Sequence, residues 1–266
     1  MEFFIRMASP VAYRRKLGFI VGINKYVQEN DKLRYCVNDA TDATDLNQTL
    51  HTIGFETVLG LDWNYDQLTN FDGFVEKIKN DDLFLFYFAG HGKQSKDENF
   101  LLPSDYDYDH LKSEKDYIIN HAINVKYIMK KIHEKRCRFT IYLFDCCRRK
   151  IKQKPRGIKL GEGLGPIVPK LQTLVVFGCA PGEITLDETW NNRNGSFIEN
   201  LLKHIVIPDK DFEEVIRKVA HDVYQQTGGI QQPHRMTSLT SEVYLTANKS
   251  TSNEIFSNFD YHRTSK

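Results

Sequence analysis

Leu83-Phe84-Leu85-Phe86-Tyr87-Phe88-Ala89-Gly90-His91-Gly92 and Ile141-Tyr142-Leu143-Phe144-Asp145-Cys146-Cys147-Arg148 are the stretches that decide how this chain folds. Each is an apolar run of strand length, rich in aromatic and branched side chains. Each stops abruptly at residues whose side chains do chemistry rather than packing. If the runs are neighbouring parallel strands, their ends come together at one edge of a sheet.

Composition narrows the field around those strands. The chain has 266 residues, of which 41% are hydrophobic and 12% aromatic, enough for one sizeable core. Lys plus Arg number 36 against 35 Asp plus Glu, so no global field favours nucleic acid or an anionic membrane surface. No apolar run approaches the ~20 residues that span a bilayer, and the start of the chain lacks the apolar core of a signal peptide. A soluble, cytoplasmic protein is expected. Cys36, Cys137, Cys146, Cys147 and Cys179 form an irregular set without a CxxC pair, which fits reduced thiols rather than a disulfide framework or a zinc site.

Working outward, Lys16–Ile23 reads as a buried strand, followed by a helix over about 37–52 that Gly54 stops. A strand near 56–61, a helix over 65–79, the strand ending at Gly90, a helix over 125–134 and the strand ending at Asp145 continue the alternation. Such alternation marks a parallel α/β sheet. Residues 148–170 turn basic and rich in Gly and Pro, which predicts a mobile surface loop. A strand over 171–178, helices over 196–205 and 211–226, and a last strand over 241–247 complete the pattern. The expected organisation is a lead over 1–15, one domain over 16–247 and a polar tail over 248–266.

The two strand tips carry the chemistry. A thiol is a poor nucleophile until it loses its proton, and a His within hydrogen-bond reach both favours the thiolate and later protonates the leaving amine. His91 and a Cys of the second tip supply that pair. The glycines flanking His91 allow a sharp turn at the sheet edge, and the Gly92 amide is a candidate oxyanion donor together with the amide of the nucleophile. Strand alternation lets only one of Cys146 and Cys147 face His91.

Phe86–Gly92, Asn99-Phe100-Leu101-Leu102-Pro103-Ser104-Asp105 and Leu143–Arg148 together resemble the caspase-like cysteine peptidases, especially the paracaspases. A His roughly 50 residues before the Cys is the order and spacing found in caspases. Val176–Glu183 and Pro233–Leu239 are similar to further elements of the family, so the resemblance runs from about 16 to 245. It implies a three-layer α/β/α sandwich around a mostly parallel sheet of about six strands. It also implies Cys147 as the nucleophile, because the family pattern sets an acid two positions before it and an Arg directly after. Asp145 and Arg148 satisfy that pattern only around Cys147, which leaves Cys146 for the core.

The same resemblance implies a basic P1 residue. Metacaspases and paracaspases cleave after Arg or Lys using pocket acids, and Asp39 and Asp145 match those positions, with Glu183 a third candidate. A planar guanidinium engages paired carboxylates through its fork, so Arg is expected over Lys. As a helix-start acid, Asp39 also has a purely structural reading. No metal or other cofactor is implied. The implied partners are a peptide or protein substrate with Arg or Lys at P1, and a second copy of the chain joined through the last strand. The alternative is a non-catalytic scaffold acting through dimerisation or partner binding, whose expected mark, loss of the His or the Cys, is absent. The basic loop, with Arg148, Arg149, Lys150, Lys152, Lys154, Arg156 and Lys159, is a candidate site of self-cleavage.

Overall fold

Strands covered by helices on both faces have no polar face to show, and their sequences run apolar throughout. The computed structural model puts both opening stretches in that position, with every residue of Leu83–Ala89 and Phe139–Asp145 buried. It describes residues 13–27, 38–95, 98–108, 113–146, 161–162, 164–181, 185 and 193–246. The expected tail over 248–266, Cys147, Glu183 and the loop over 148–160 lie outside the described residues.

In chain order the elements are β1 (Lys16–Gly22), α1 (Asp39–Thr52), β2 (Phe55–Leu61), α2 (Tyr65–Thr69), α3 (Phe71–Val75), β3 (Leu83–Ala89), β4 (Gly92–Ser95), β5 (Glu98–Leu101), α4 (Glu114–His121), β6 (Ile123–Asn124), α5 (Val125–Glu134), β7 (Phe139–Asp145), β8 (Gly161–Glu162), β9 (Thr173–Phe177), α6 (Ser196–His204), α7 (Phe212–Gln226) and β10 (His234–Thr237). The main sheet has six strands in the order β10-β9-β7-β3-β1-β2, parallel except for the edge strand β10. A smaller antiparallel sheet, β6-β5-β4-β8, leaves the main one just after β3.

Period-two alternation divides the core into two layers. Phe84, Phe86 and Phe88 of β3 face α2, α3 and α5 together with Phe19, Phe71, Tyr142 and Phe144. Leu83, Leu85, Tyr87 and Ala89 face α1, α6 and α7 together with Leu46, Leu143, Phe197 and Val219. The three-layer sandwich with a mostly parallel six-stranded sheet is thus the observed fold.

Three expectations are corrected. The helix expected over 65–79 is two short helices; Asn64 and Gln67 form a reciprocal capping box that starts α2, and Asn70 closes it and opens α3. The last strand expected over 241–247 is not in the sheet. Val243 and Leu245 are buried alternately, but this segment lies across the start of α7, where Phe212 N–H donates to Val243 O and Val243 N–H to the Asp211 side chain. The edge strand is β10 instead. Over 161–170 the loop is not loose: β8 pairs with β4, Leu164 and Ile167 are buried, and the Asn99 side chain bonds both the N–H and the O of Gly165.

At the far end of the sheet Asp82 is fully buried. Arg14 and Arg15 donate to its carboxylate at 3.2 and 2.9 Å and the Lys79 amide at 2.9 Å. Burial raises its pKa, but the Arg15 bond, the Lys79 amide and the arginine charges outweigh that and hold the carboxyl below its usual range. Its stabilising contribution is therefore complete above about pH 4 and is lost as pH falls through the lowered folded value. Asp82→Asn is expected to cost about 2 kcal/mol near neutral pH. Thermal melts from pH 3 to 7 should show the gap from wild type closing toward acid.

Candidate active site

Parallel register sets the site. Gly22 of β1, Ala89 of β3 and Asp145 of β7 stand in one row, so the three strands end level. His91 follows β3 by two residues and is half-buried. Its N–H donates to Tyr26 Oη at 2.8 Å, its carbonyl accepts from Leu102 N–H at 2.9 Å, and the Tyr26 ring packs 4.8 Å from the imidazole. Gly90 makes the turn with φ +150°, a conformation that disfavours side chains, and a Cβ there would come within 2.7 Å of Tyr26 Oη.

Gly92 opens β4 opposite Leu101. The neighbouring bond from Leu102 N–H to His91 O makes this a non-hydrogen-bonded pair, which turns the Gly92 N–H away from β5. Leu164 packs directly on Gly92.

Cys146 is buried, and its Sγ lies 3.9 Å from Phe88 O. It belongs to the layer with Phe86 and Phe144, while Asp145 points to the opposite one. The sequence expectation that Cys146 packs in the core matches this position.

Asp39 and Asp145 come together from different elements. Asp39 is buried and is the first residue of α1, so it is also the helix-start acid of its structural reading. Asn38 provides no side-chain cap; Asn24, from the other side of the site, accepts from Ala40 N–H at 2.6 Å instead. Asp145 is buried at the end of β7, with Oδ1 where a side chain on Gly178 would stand, 2.3 Å from that Cβ position. Gly178 is pinned there by its N–H to Phe144 O at 2.9 Å and by Gln231 Nε2 donating to its carbonyl at 2.7 Å.

Tyr87 feels the charge of both acids. Its ring is fully buried and its hydroxyl has no hydrogen-bond partner among the described residues. Burial first, then the negative charges of Asp145, Asp42 and Asp39, push this phenol well above its usual pKa. Asp42, which sequence reasoning passed over, is one helical turn from Asp39; it accepts from Asn194 Nδ2 at 2.9 Å and from Gly195 N–H at 3.1 Å, tying α1 to the start of α6. The i, i+3 spacing of the two acids was the readable signal. Tyr26, Asn24 and Gln231 were also missed, and nothing local in the sequence marks them.

A mostly parallel six-stranded sheet between two layers of helices is the architecture of the caspase-like proteases. The chain belongs to the caspase domain family, which it matches over residues 15–244. It is 26% identical over 244 residues to the human mucosa-associated lymphoid tissue lymphoma translocation protein 1, and likewise to the mouse homolog. The match takes in 90% of this chain but 27% of each relative's length, so the chain spans only part of the curated relatives it matches. The crystal structure of caspase-1 from Spodoptera frugiperda shares the fold, with a TM-score of 0.65 at 15% identity over 92% of this chain and 96% of that one. The structure of pro-Sf-caspase-1 does so with a TM-score of 0.62 at 13% identity.

Burial predicts thiol reactivity. Cys146 and Cys179 are both buried, so peptide mapping after brief iodoacetamide treatment of the native protein should find neither alkylated, and both alkylated after denaturation. Cys146→Ala should cost about 1 kcal/mol in a denaturant melt.

Proposed function

We propose that this chain is a cysteine endopeptidase that cleaves after basic residues, Arg in preference to Lys. Cys147 is the nucleophile and His91 the general base and acid. His91 takes the thiol proton, and the thiolate attacks the scissile carbonyl. The amides of Gly92 and Cys147 hold the oxyanion of the tetrahedral intermediate. Collapse breaks the peptide C–N bond, and His91 returns the proton to the leaving amine. Water, deprotonated by His91, then hydrolyses the thioester and frees the acid and the thiol.

The observation that carries this reading is the placement of the buried acids Asp39 and Asp145 beside the level strand ends, where the charges of both bear on the buried Tyr87 phenol. A planar substrate guanidinium can engage two carboxylates through its fork, where an ammonium offers a single point charge. Glu183 is retained as a third candidate acid. His91 and Cys147 each stand two residues after a register partner, Ala89 and Asp145. A homodimer of this chain would use β10, the edge strand in place of the 241–247 segment. No helix among the described residues is long and apolar enough to cross a membrane, and the irregular set of five cysteines without a CxxC pair supports a reducing, cytosolic setting.

Fluorogenic peptides differing only at P1 test it. Turnover is expected with Arg, weaker turnover with Lys and none with Asp, and Cys147→Ala and His91→Ala should abolish it. Asp39→Asn and Asp145→Asn should each lower kcat/KM for Arg by roughly a hundredfold, the scale of a charged hydrogen bond lost in a dry site. Turnover of Asp substrates, or Arg turnover indifferent to both acids, would discard the pocket. Turnover that survives Cys147→Ala would discard the dyad.

A further inference from the structure

His91 stands between Gly90 and Gly92, the residues least able to stiffen a backbone. A general base displaced by about 1 Å can lose roughly a hundredfold in rate. Something outside the strand has to hold it. Its carbonyl is held by the Leu102 amide and its N–H by Tyr26 Oη, at 2.9 and 2.8 Å. The Tyr26 ring, 4.8 Å from the imidazole and inclined 53° to it, also limits how the imidazole can swing.

Tyr26 can do this because its own segment is fixed. Ile23 N–H donates to Ala89 O at 3.1 Å, Val27 N–H to Ser104 O at 2.9 Å, and the amides of Asn24 and Lys25 to Asp62 Oδ1 at 2.8 and 3.0 Å. The same segment reaches the other side of the site, where Asn24 Oδ1 caps α1 at the Ala40 amide, one residue from Asp39.

We propose that Tyr26 is a positioning residue for His91, and that residues 23–27 form one frame aligning the catalytic base with the helix that carries the pocket acid. This rests on the His91 and Asp39 roles proposed above. Tyr26→Phe removes the acceptor and keeps the ring, whereas Tyr26→Leu removes both. Asn24→Ala removes the cap and leaves Tyr26 in place.

The full chain is assayed for kcat and KM on an Arg-P1 peptide, and for the rate at which iodoacetamide alkylates Cys147 at pH 7, with thermal melts to establish folding. Tyr26→Phe is expected to lower kcat about tenfold while KM stays within about twofold, and Asn24→Ala to raise KM about fivefold with kcat retained. Alkylation should slow in Tyr26→Leu toward the rate in His91→Ala. If His91→Ala slows alkylation and turnover but folded Tyr26→Phe matches wild type, the frame is wrong and the dyad stands. If His91→Ala changes neither, the dyad itself fails and the frame with it. Should Tyr26→Leu not fold, the kcat-against-KM split in Tyr26→Phe decides alone.

Discussion

Parallel strands can register in many ways, and this sheet uses one that ends β1, β3 and β7 in a common row at Gly22, Ala89 and Asp145. Every feature of the site is measured from that row. A slip of one residue would move Asp145 to the opposite face of the sheet, away from α1, and bring Cys146 to the face it now avoids. The register is secured along the whole length of the strands. Phe84, Phe86, Phe88, Tyr142 and Phe144 fill one layer and Leu83, Leu85, Leu143 and Ile141 the other, so any shift would misplace large side chains on both faces at once.

Burial explains which parts of this architecture were legible in the sequence. β3 and β7 were plain because central strands covered on both faces run apolar without interruption. The helix Val125–Glu134 was read to its observed bounds, since Asn124 caps it with bonds to the amides of Lys126 and Tyr127 and its apolar residues keep helical spacing. The edge strand β10 was hidden for the converse reason: His234–Thr237 has no buried residue and carries no apolar signature. Val243 and Leu245 misled because alternation reports burial of every second side chain, which an unpaired extended segment also satisfies. The small sheet was invisible, its strands too short and polar to show a period.

Within the candidate site, the residues that stood out in the sequence are those whose chemistry is conspicuous where a strand or helix ends: His91, Asp39 and Asp145. Their supports were not. Tyr26 meets His91 across 65 residues, Gln231 meets Gly178 across 53, and Asn24 caps α1 across 16. Such contacts come from tertiary closure, which no local periodicity reports. Asp42 falls between these cases, audible as a second acid on one helical face yet given its role only by the Asn194 and Gly195 amides that reach it.

The clasp between β8 and β4 gives the basic stretch before it an unusual mechanical status. On its upstream side β7 is locked between β3 and β9; on its downstream side the chain is pinned by the β8 ladder, by Leu164 against Gly92 and by the Asn99 bonds to Gly165. A single cut between β7 and β8 would sever the covalent path while leaving β7 and β8 paired in their sheets. The two fragments would migrate as one particle under native conditions and separate only in denaturant, so the nicked protein would keep the shape and the strand alignment of the intact one.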